Sequence, residues 1–340
     1  MGYFAAGAGV VVVVSFVMVS ALWTSPRLQG TEIDADTPPR PNRLGSLLGV
    51  VGLALFSLVV IAGMADGTAS ALNVTPVLVL VGFSLVVPFL APLVGDWWRW
   101  LSPWGLLSRR LNASVVERPD LVDRFEVVPA TLSLFAFTWL ELASPDSSDP
   151  RTLVVAALVL TVVFVAAGRV AGPESGLRLV DGFHTWFGML GAIAPHDTTI
   201  AEGRPRGWFR ILAAMPSWRG LSLLLVVMIG TLTYDGMSGT DWWIGVTGSV
   251  RNEMWFQTAA LAGWVVVIGI AYLLASWFSA TVAGGTPVAL VADRFAHTLV
   301  PIALAYAVAD YLTLVLFEGQ ILIAAASDPF GLGWDLFGTA

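Results

Sequence analysis

RFAHTLVPIALAYAVADYLTLVLFEGQ, residues 294–320, is apolar for most of its length yet carries His297, Pro301, Asp310 and Glu318. About 20 consecutive apolar residues cross the hydrocarbon core of a bilayer, so the stretch reads as a membrane span. Polar groups at that depth are costly and mark either function or contact with a partner helix. Asp310 is the sharpest case, because YAVADYLTLVLF (306–317) surrounds it and leaves it needing an internal partner or a hydrated cavity.

Composition extends the reading to the whole chain of 340 residues, which is 56% hydrophobic and 12% charged with a mean hydropathy of +0.79. Such values belong to polytopic membrane proteins. Cysteine is absent, which excludes disulfides and thiolate metal sites. Lysine is absent too, so 17 arginines face 24 acidic residues and leave a net charge of −7, a halophile-like composition. That balance lacks the basic footprint of a nucleic-acid-binding protein.

Scanning for apolar runs predicts eight spans, at 3–23, 45–64, 76–95, 125–143, 152–171, 220–237, 254–280 and 295–317. The first has no basic leader and is followed by the loop TSPRLQGTEIDADTPPRPNR (24–43), so it reads as a retained span rather than a signal peptide. With the N-terminus outside, only Arg151 and Arg251 fall outside and the other 15 arginines fall inside. That bias orients the chain. The expected fold is therefore all-α: one polytopic transmembrane helical bundle over 1–340, in the plasma membrane, with both termini outside. Small residues in GVVGLALFSLVVIAG (49–63) and AGWVVVIGIAYLLAS (262–276) allow close helix packing. No internal repeat of the transporter type stands out.

Two connections on the inner side are long. Residues 96–124 open with DWWRWLSPWGLLSRR, where Trp97, Trp98, Trp100 and Trp104 mix with arginine. Such a mixture suits an interfacial anchor, with a nucleotide or lipid headgroup site as the alternative. Residues 172–219 contain LVDGFHTWFGMLGAIAP (179–195), too short to span and read as an interfacial or re-entrant helix.

The chemistry-bearing residues fall into two groups. Glu141, Asp235, Asp310 and Glu318 come from three helices and sit at similar depth on the outer side. If they converge they draw a cation or share protons; Glu141, Asp235 and Glu318 also fit ordinary span ends. At the inner end, His297 follows Asp293 by four residues and Arg294 by three, a spacing that permits an Asp–His contact on one helix face. Pro301 predicts a kink. Tyr311 returns to the face of His297, whereas Asp310 lies about 140° around the helix and about 20 Å along it, so His297 and Asp310 do not share an ion. The other histidines, His184 and His196, lie in the second long connection, and there is no zinc-type cluster, haem-attachment motif, HExxH, G-x-S-x-G or P-loop. Asn73-Val-Thr75 is a glycosylation sequon in a predicted external, accessible loop; Asn112-Ala-Ser114 repeats the pattern on the inner side.

VVVVVSFVMVSALWTSPRLQG (10–30), WRWLSPWGLL (98–107), FTWLELASP (137–145) with DPRTL (149–153), TYDGMSG (233–239), FAHTLVPIALAYAVADY (295–311) and SDPFGLGWDLFGT (327–339) together resemble a family of prokaryotic polytopic membrane proteins labelled fenitrothion hydrolase. The resemblance covers nearly the whole chain and is most specific around His297. It implies a membrane-embedded hydrolase acting on organophosphates, but brings no catalytic residues with it. Relatives tend to carry a second histidine in an AHY triplet where this chain has Ala309-Asp310-Tyr311. They also tend to have an exported segment before the first span and a histidine-containing helix after DLFGT. On that comparison the chain is a shortened variant, or half of a complex.

Three functions follow as expectations. The first is a permease-like or cation- or metal-handling protein with an external acidic cavity. The second is a structural or assembly subunit that packs against a partner membrane subunit. The third is the hydrolase that the resemblance implies. The lipid bilayer is the common partner, with a small cation or solute for the first; nothing points to a named cofactor.

Overall fold

The computed structural model of the chain describes residues 43–65, 73–195, 207–330 and 332–338, with positions 10, 13–15, 17, 18 and 21. The expected span 3–23 lies largely outside the described residues, as do Arg27, Arg40, Arg204, Arg206 and His196. The described residues form helices and connections, with no strand among them. In chain order the helices are α1 (Arg43–Met64), α2 (Val74–Val94), α3 (Trp98–Leu101), α4 (Pro103–Leu111), α5 (Pro119–Phe125) and α6 (Val128–Ala143). There follow α7 (Pro150–Ala171), α8 (Pro173–Val180), α9 (Gly182–Gly191) and α10 (Arg210–Ala214). The chain continues through α11 (Leu221–Ser238), α12 (Asp241–Thr247), α13 (Met254–Val282) and α14 (Val288–Ser327).

Six of these, α1, α2, α7, α11, α13 and α14, are long and apolar enough to cross a membrane. Helices α5 and α6 pass the same test together but are bent by 67°. Glu126 makes the bend, adopting a positive φ of 55° between the two. Without α5, the 16 residues of α6 reach about 24 Å, short of a hydrocarbon core of about 30 Å.

Local chemistry sets the helix starts. Asp149 accepts from the Thr152 N–H at 2.8 Å ahead of Pro150, and Ser102 accepts from the Gly105 N–H at 3.2 Å ahead of Pro103. Both pair a side-chain cap with a proline whose missing N–H costs nothing in the first turn. Helix α8 is capped from a distance: Glu117 accepts from the N–H groups of Glu174 (3.0 Å) and Ser175 (2.8 Å).

Helix α2 departs from regular winding. Residues Val77–Val86 form a π-helix, and the N–H of Val87 reaches back to the carbonyl of Gly82. π-Helix normally appears as a single turn inside an α-helix, often at a functional site; this stretch runs to 10 residues. Its rings and hydroxyl face two different neighbourhoods. Phe83 is the hub of the core, with ring centroids 4.8–5.9 Å from Trp98, Trp104, Phe137, Phe183 and Phe187.

That hub takes in two of the four tryptophans of the 96–124 connection: Trp98 and Trp104 are only 6% and 5% exposed and pack inside the bundle, while Trp97 and Trp100 are half-buried. Arg99 and Arg109 both pair with Glu174, at 3.4 Å each, so they are not free for a nucleotide or lipid phosphate. A β-carbon on Gly52 would collide with the carbonyl of Leu101; glycine there lets α3 pack directly on α1. Helix α9 is likewise buried against α2 and α6, with Phe183, Trp186, Phe187, Met189 and Leu190 all within the core.

Two expectations for the inner end of α14 change. Asp293 does not pair with His297. It caps α11, accepting from Gly220 N (3.1 Å), Ser222 N (3.2 Å) and Ser222 Oγ (2.7 Å), where three otherwise unpaired donors outcompete one imidazole. The irregularity in α14 is a short 3-10 turn at Ala296–Thr298. Pro301 lies in the first turn of the α-helix that resumes at Leu299, where its missing N–H breaks no hydrogen bond.

The sequon expectation also changes. Asn73 is 2% exposed; it donates to the Ala62 carbonyl at 2.7 Å and accepts from Thr75 N at 2.9 Å. Asn112 is 1% exposed and donates to the Val165 carbonyl at 3.1 Å. Neither is accessible.

Candidate functional site

Three of the four expected carboxylates come together. Glu141 lies near the C-terminus of α6, Asp235 near the C-terminus of α11 and Asp310 on α14. Glu141 and Asp235 are close enough for their charges to interact, as are Asp235 and Asp310. Tyr311 donates its hydroxyl to Asp235 Oδ2 and also lies in the fields of Glu141 and Asp310. Ser84, on the π-helical stretch of α2, places its hydroxyl 3.3 Å from Glu141 Oε1.

Close approach of α11 and α14 makes this meeting feasible. A β-carbon at Gly236 would collide with the Tyr306 hydroxyl and stand 3.2 Å from Asp310 Oδ2. Glycine beside Asp235 is therefore what admits Tyr306 and Asp310. Around this contact, Tyr234, 1% exposed, donates to Gln257 on α13. Trp139 donates to Thr258 at 2.9 Å, and Trp264 donates to Thr233 at 2.9 Å. These bonds fix α6, α11 and α13 relative to one another.

Glu318 stands apart. It is half-buried on α14, about 12 Å along the helix from Asp310, and makes no hydrogen bond or ion pair with the other three among the described residues. No arginine among the described residues forms an ion pair with the cluster; Arg99, Arg109 and Arg118 pair with acids elsewhere. Nor do three His, Asp or Glu side chains form a metal-binding group among the described residues. Carboxylates near enough to feel one another's charge favour a shared proton or a cation between them.

Asp310 is the open edge of the cluster. It is exposed, and so are Thr313 and Gln320, which fall within about 80° of one another around α14. Only 11% of the α14 window is buried.

His297 lies against the carbonyls of Arg294 and Pro216, with Nε2 buried and without a partner among the described residues; Arg294 itself is exposed. Asp235, not His297, is the partner of Tyr311.

A second polar group, which the sequence reading noted only in passing, sits at the start of α9. Asp181 is 1% exposed and caps α9 by accepting from His184 N at 3.0 Å. Burial pushes its carboxyl up to about 7, against the hydrogen bonds from the His184 and Phe183 N–H groups. His184 is pushed down to about 3, first by burial and then by the positive charges of Arg99, Arg178 and Arg109. At neutral pH the imidazole is uncharged and serves the packing of α9.

No protein-family model, curated protein or solved structure matches this chain. Function is therefore argued from the site and not from likeness.

Of the cluster members, Ser84, Tyr306 and Tyr234 carried no weight in the sequence reading. Ser84 had a signal, being the one hydroxyl in the apolar run VLVLVGFSLVV (77–87). Tyr306 had another, lying four residues before Asp310 and so on its face.

Proposed function

We propose that this is a permease-like membrane protein that handles protons or small cations through Glu141, Asp235, Tyr311 and Asp310. One observation carries the reading: carboxylates from three separate helices lie within one another's fields with no basic partner among the described residues, a tyrosine hydroxyl bonding Asp235 and a serine hydroxyl standing by Glu141. Acidic side chains inside a membrane bundle are costly and rare, and often mark ion pathways or proton relays. The arginine asymmetry of the sequence orients this end of the bundle toward the exterior of the plasma membrane. Purified chain in liposomes loaded with a pH-sensitive dye tests it. Under an imposed sodium or proton gradient, wild type and Glu318→Gln conduct, while Asp235→Asn and Asp310→Asn lose at least about tenfold of the flux, roughly 1.4 kcal/mol of barrier. Equal flux in all four proteins refutes the reading.

Asp310, Thr313 and Gln320 favour a second role, as a contact for a partner membrane subunit. Their shared face of α14 is exposed, and a charge facing lipid costs about 2.5–3.5 kcal/mol at mid-membrane. Native gels of gently solubilised membranes from the source cell distinguish the two: assembly predicts a complex that Asp310→Leu and Gln320→Leu both disrupt, whereas exchange chemistry requires Asp310 alone.

A further inference from the structure

We infer that α12 docks on the lipid headgroup layer at the side of the membrane where α11 ends, with Trp242 and Val246 seated among the headgroups. Helix α13 fixes where that layer lies. Trp255 and Trp277 are 64% and 57% exposed and stand about 33 Å apart along α13, within about 40° of one another around it. That interval matches a hydrocarbon core of about 30 Å, and tryptophan favours both of its boundaries. Between the two rings the exposed side chains of α13 are apolar throughout, Val266, Val267, Ile270, Leu273 and Leu274 among them. The polar side chains of the same interval turn inward. Gln257 accepts from Tyr234, Thr258 accepts from Trp139 at 2.9 Å, Tyr272 donates to the Ala292 carbonyl at 2.7 Å and Ser276 is buried. Past the rings exposed polar residues return, Asn252 and Glu253 at one end and Ser279 and Thr281 at the other.

Helix α12 is held at the edge of that band. Tyr234 on α11 meets Gln257 on α13, which brings the end of α11 at Ser238 near the level of the start of α13. At most about 10 Å of chain then separates Ser238 from Asp241. Thr240 caps α12, accepting from Trp243 N at 3.2 Å. Trp243 turns inward, its ring centroid 6.2 Å from Tyr234 and 6.1 Å from Phe256. Trp242 and Val246 share the i, i+4 spacing of one helix face. They are left 61% and 67% exposed, and no residue of α12 is buried. In water that face would forgo the burial of two large apolar side chains. In the hydrocarbon core the exposed Asp241 and Glu253 beside it would carry the cost of a charge in lipid. The headgroup layer meets both demands, covering an apolar face while leaving the acids wet. Trp243 ties the docked helix to Tyr234, the neighbour of Asp235, but the docking rests on none of the ion-handling chemistry.

The chain has no cysteine, so single-cysteine variants of the full-length protein take a nitroxide label at chosen sites. Gly245→Cys reports on α12 with Trp242 and Val246 intact, since a β-carbon there meets nothing within 4 Å; Ile244→Cys takes its place if that variant does not fold. Val266→Cys and Phe278→Cys report on the middle and the far edge of the α13 band. Each protein is reconstituted in phosphatidylcholine vesicles. Label depth is read by power-saturation EPR with oxygen and a nickel chelate, calibrated with doxyl-labelled phosphatidylcholines. The labels on α12 and at position 278 lie within about 10 Å of the headgroup boundary. The label at position 266 is the deepest, about 15 Å from either boundary. Adding Trp242→Ala to Gly245→Cys shifts the α12 label toward water by about 5 Å or more. Three results overturn the inference: an α12 label as open to the chelate as one in water, an α12 label shielded from both oxygen and chelate by a second copy of the chain, or a depth that Trp242→Ala leaves unchanged.

Discussion

Replacing Asp181 by asparagine should stabilise the protein at alkaline pH and leave it nearly unchanged at acidic pH. Asparagine caps a helix about as well as aspartate, so the bond from His184 N, now 3.0 Å, is retained. What disappears is the cost of charging a carboxyl that is 1% exposed. In the unfolded chain Asp181 releases its proton near 3.8, and in the folded chain near 7. A folded value above the unfolded one means that the group stabilises the fold below about pH 4 and loses that contribution as pH rises through 7. At about 1.4 kcal/mol per pH unit, the loss is on the order of 4 kcal/mol. His184 slopes the other way: its folded value is pushed down to about 3, so its contribution is present above about 6.5 and lost as pH falls toward 3. Unfolding by SDS titration in mixed micelles at pH 4.5, 6.5 and 8.5, followed by tryptophan fluorescence, reads both. Asp181→Asn should gain only about 1 kcal/mol over wild type at pH 4.5 and about 3–4 kcal/mol at the two higher pH values, and His184→Gln should make the acid side of the profile steeper in the Asp181 sense. A constant offset between Asp181→Asn and wild type at all three pH values refutes the reasoning.

Other substitutions test the packing and the site. Gly236→Ala should cost about 1–3 kcal/mol by overpacking against the Tyr306 hydroxyl and abolish liposome flux; wild-type flux would show that the α11–α14 approach is not needed. Phe83→Ala removes the ring that touches five others and should lower stability by about 3–5 kcal/mol in the same SDS titration, a loss below about 1 kcal/mol being the contrary result. Expression in a glycosylating host should leave the mass at Asn73 unchanged, since its side chain holds the Ala62 carbonyl and Thr75 N–H; Asn73→Ala should destabilise by about 1–3 kcal/mol.

The membrane-crossing helices were legible because hydropathy measures how readily a segment enters lipid, and six of the expected segments are long apolar helices. What hydropathy does not measure is which neighbour a side chain meets. Trp98 and Trp104 beside Arg99 and Arg109 gave no sign in the sequence that the rings pack on Phe83 and that the arginines pair with Glu174. Asp293 illustrates the same gap: helix spacing offered His297, but the N-terminus of α11, more than 70 residues earlier, presented the better donors. Glu141, Asp235 and Asp310 stood out as carboxylates in apolar runs, yet their meeting depends on Gly236, whose lack of a side chain carries no signal until α14 is laid against α11. Glu318 looked equivalent and is not, because helix pitch carries it past the contact.

The ten π-wound residues of α2 hold Phe83 in the aromatic hub and Ser84 against Glu141. A π turn holds an extra residue relative to an α turn, so tightening even one turn to α would rotate every side chain beyond it by about 100°. Phe83 would leave the aromatic hub in the same motion that takes Ser84 from Glu141. The places of Phe83 and Ser84 thus depend on a single variable, the winding of one helix.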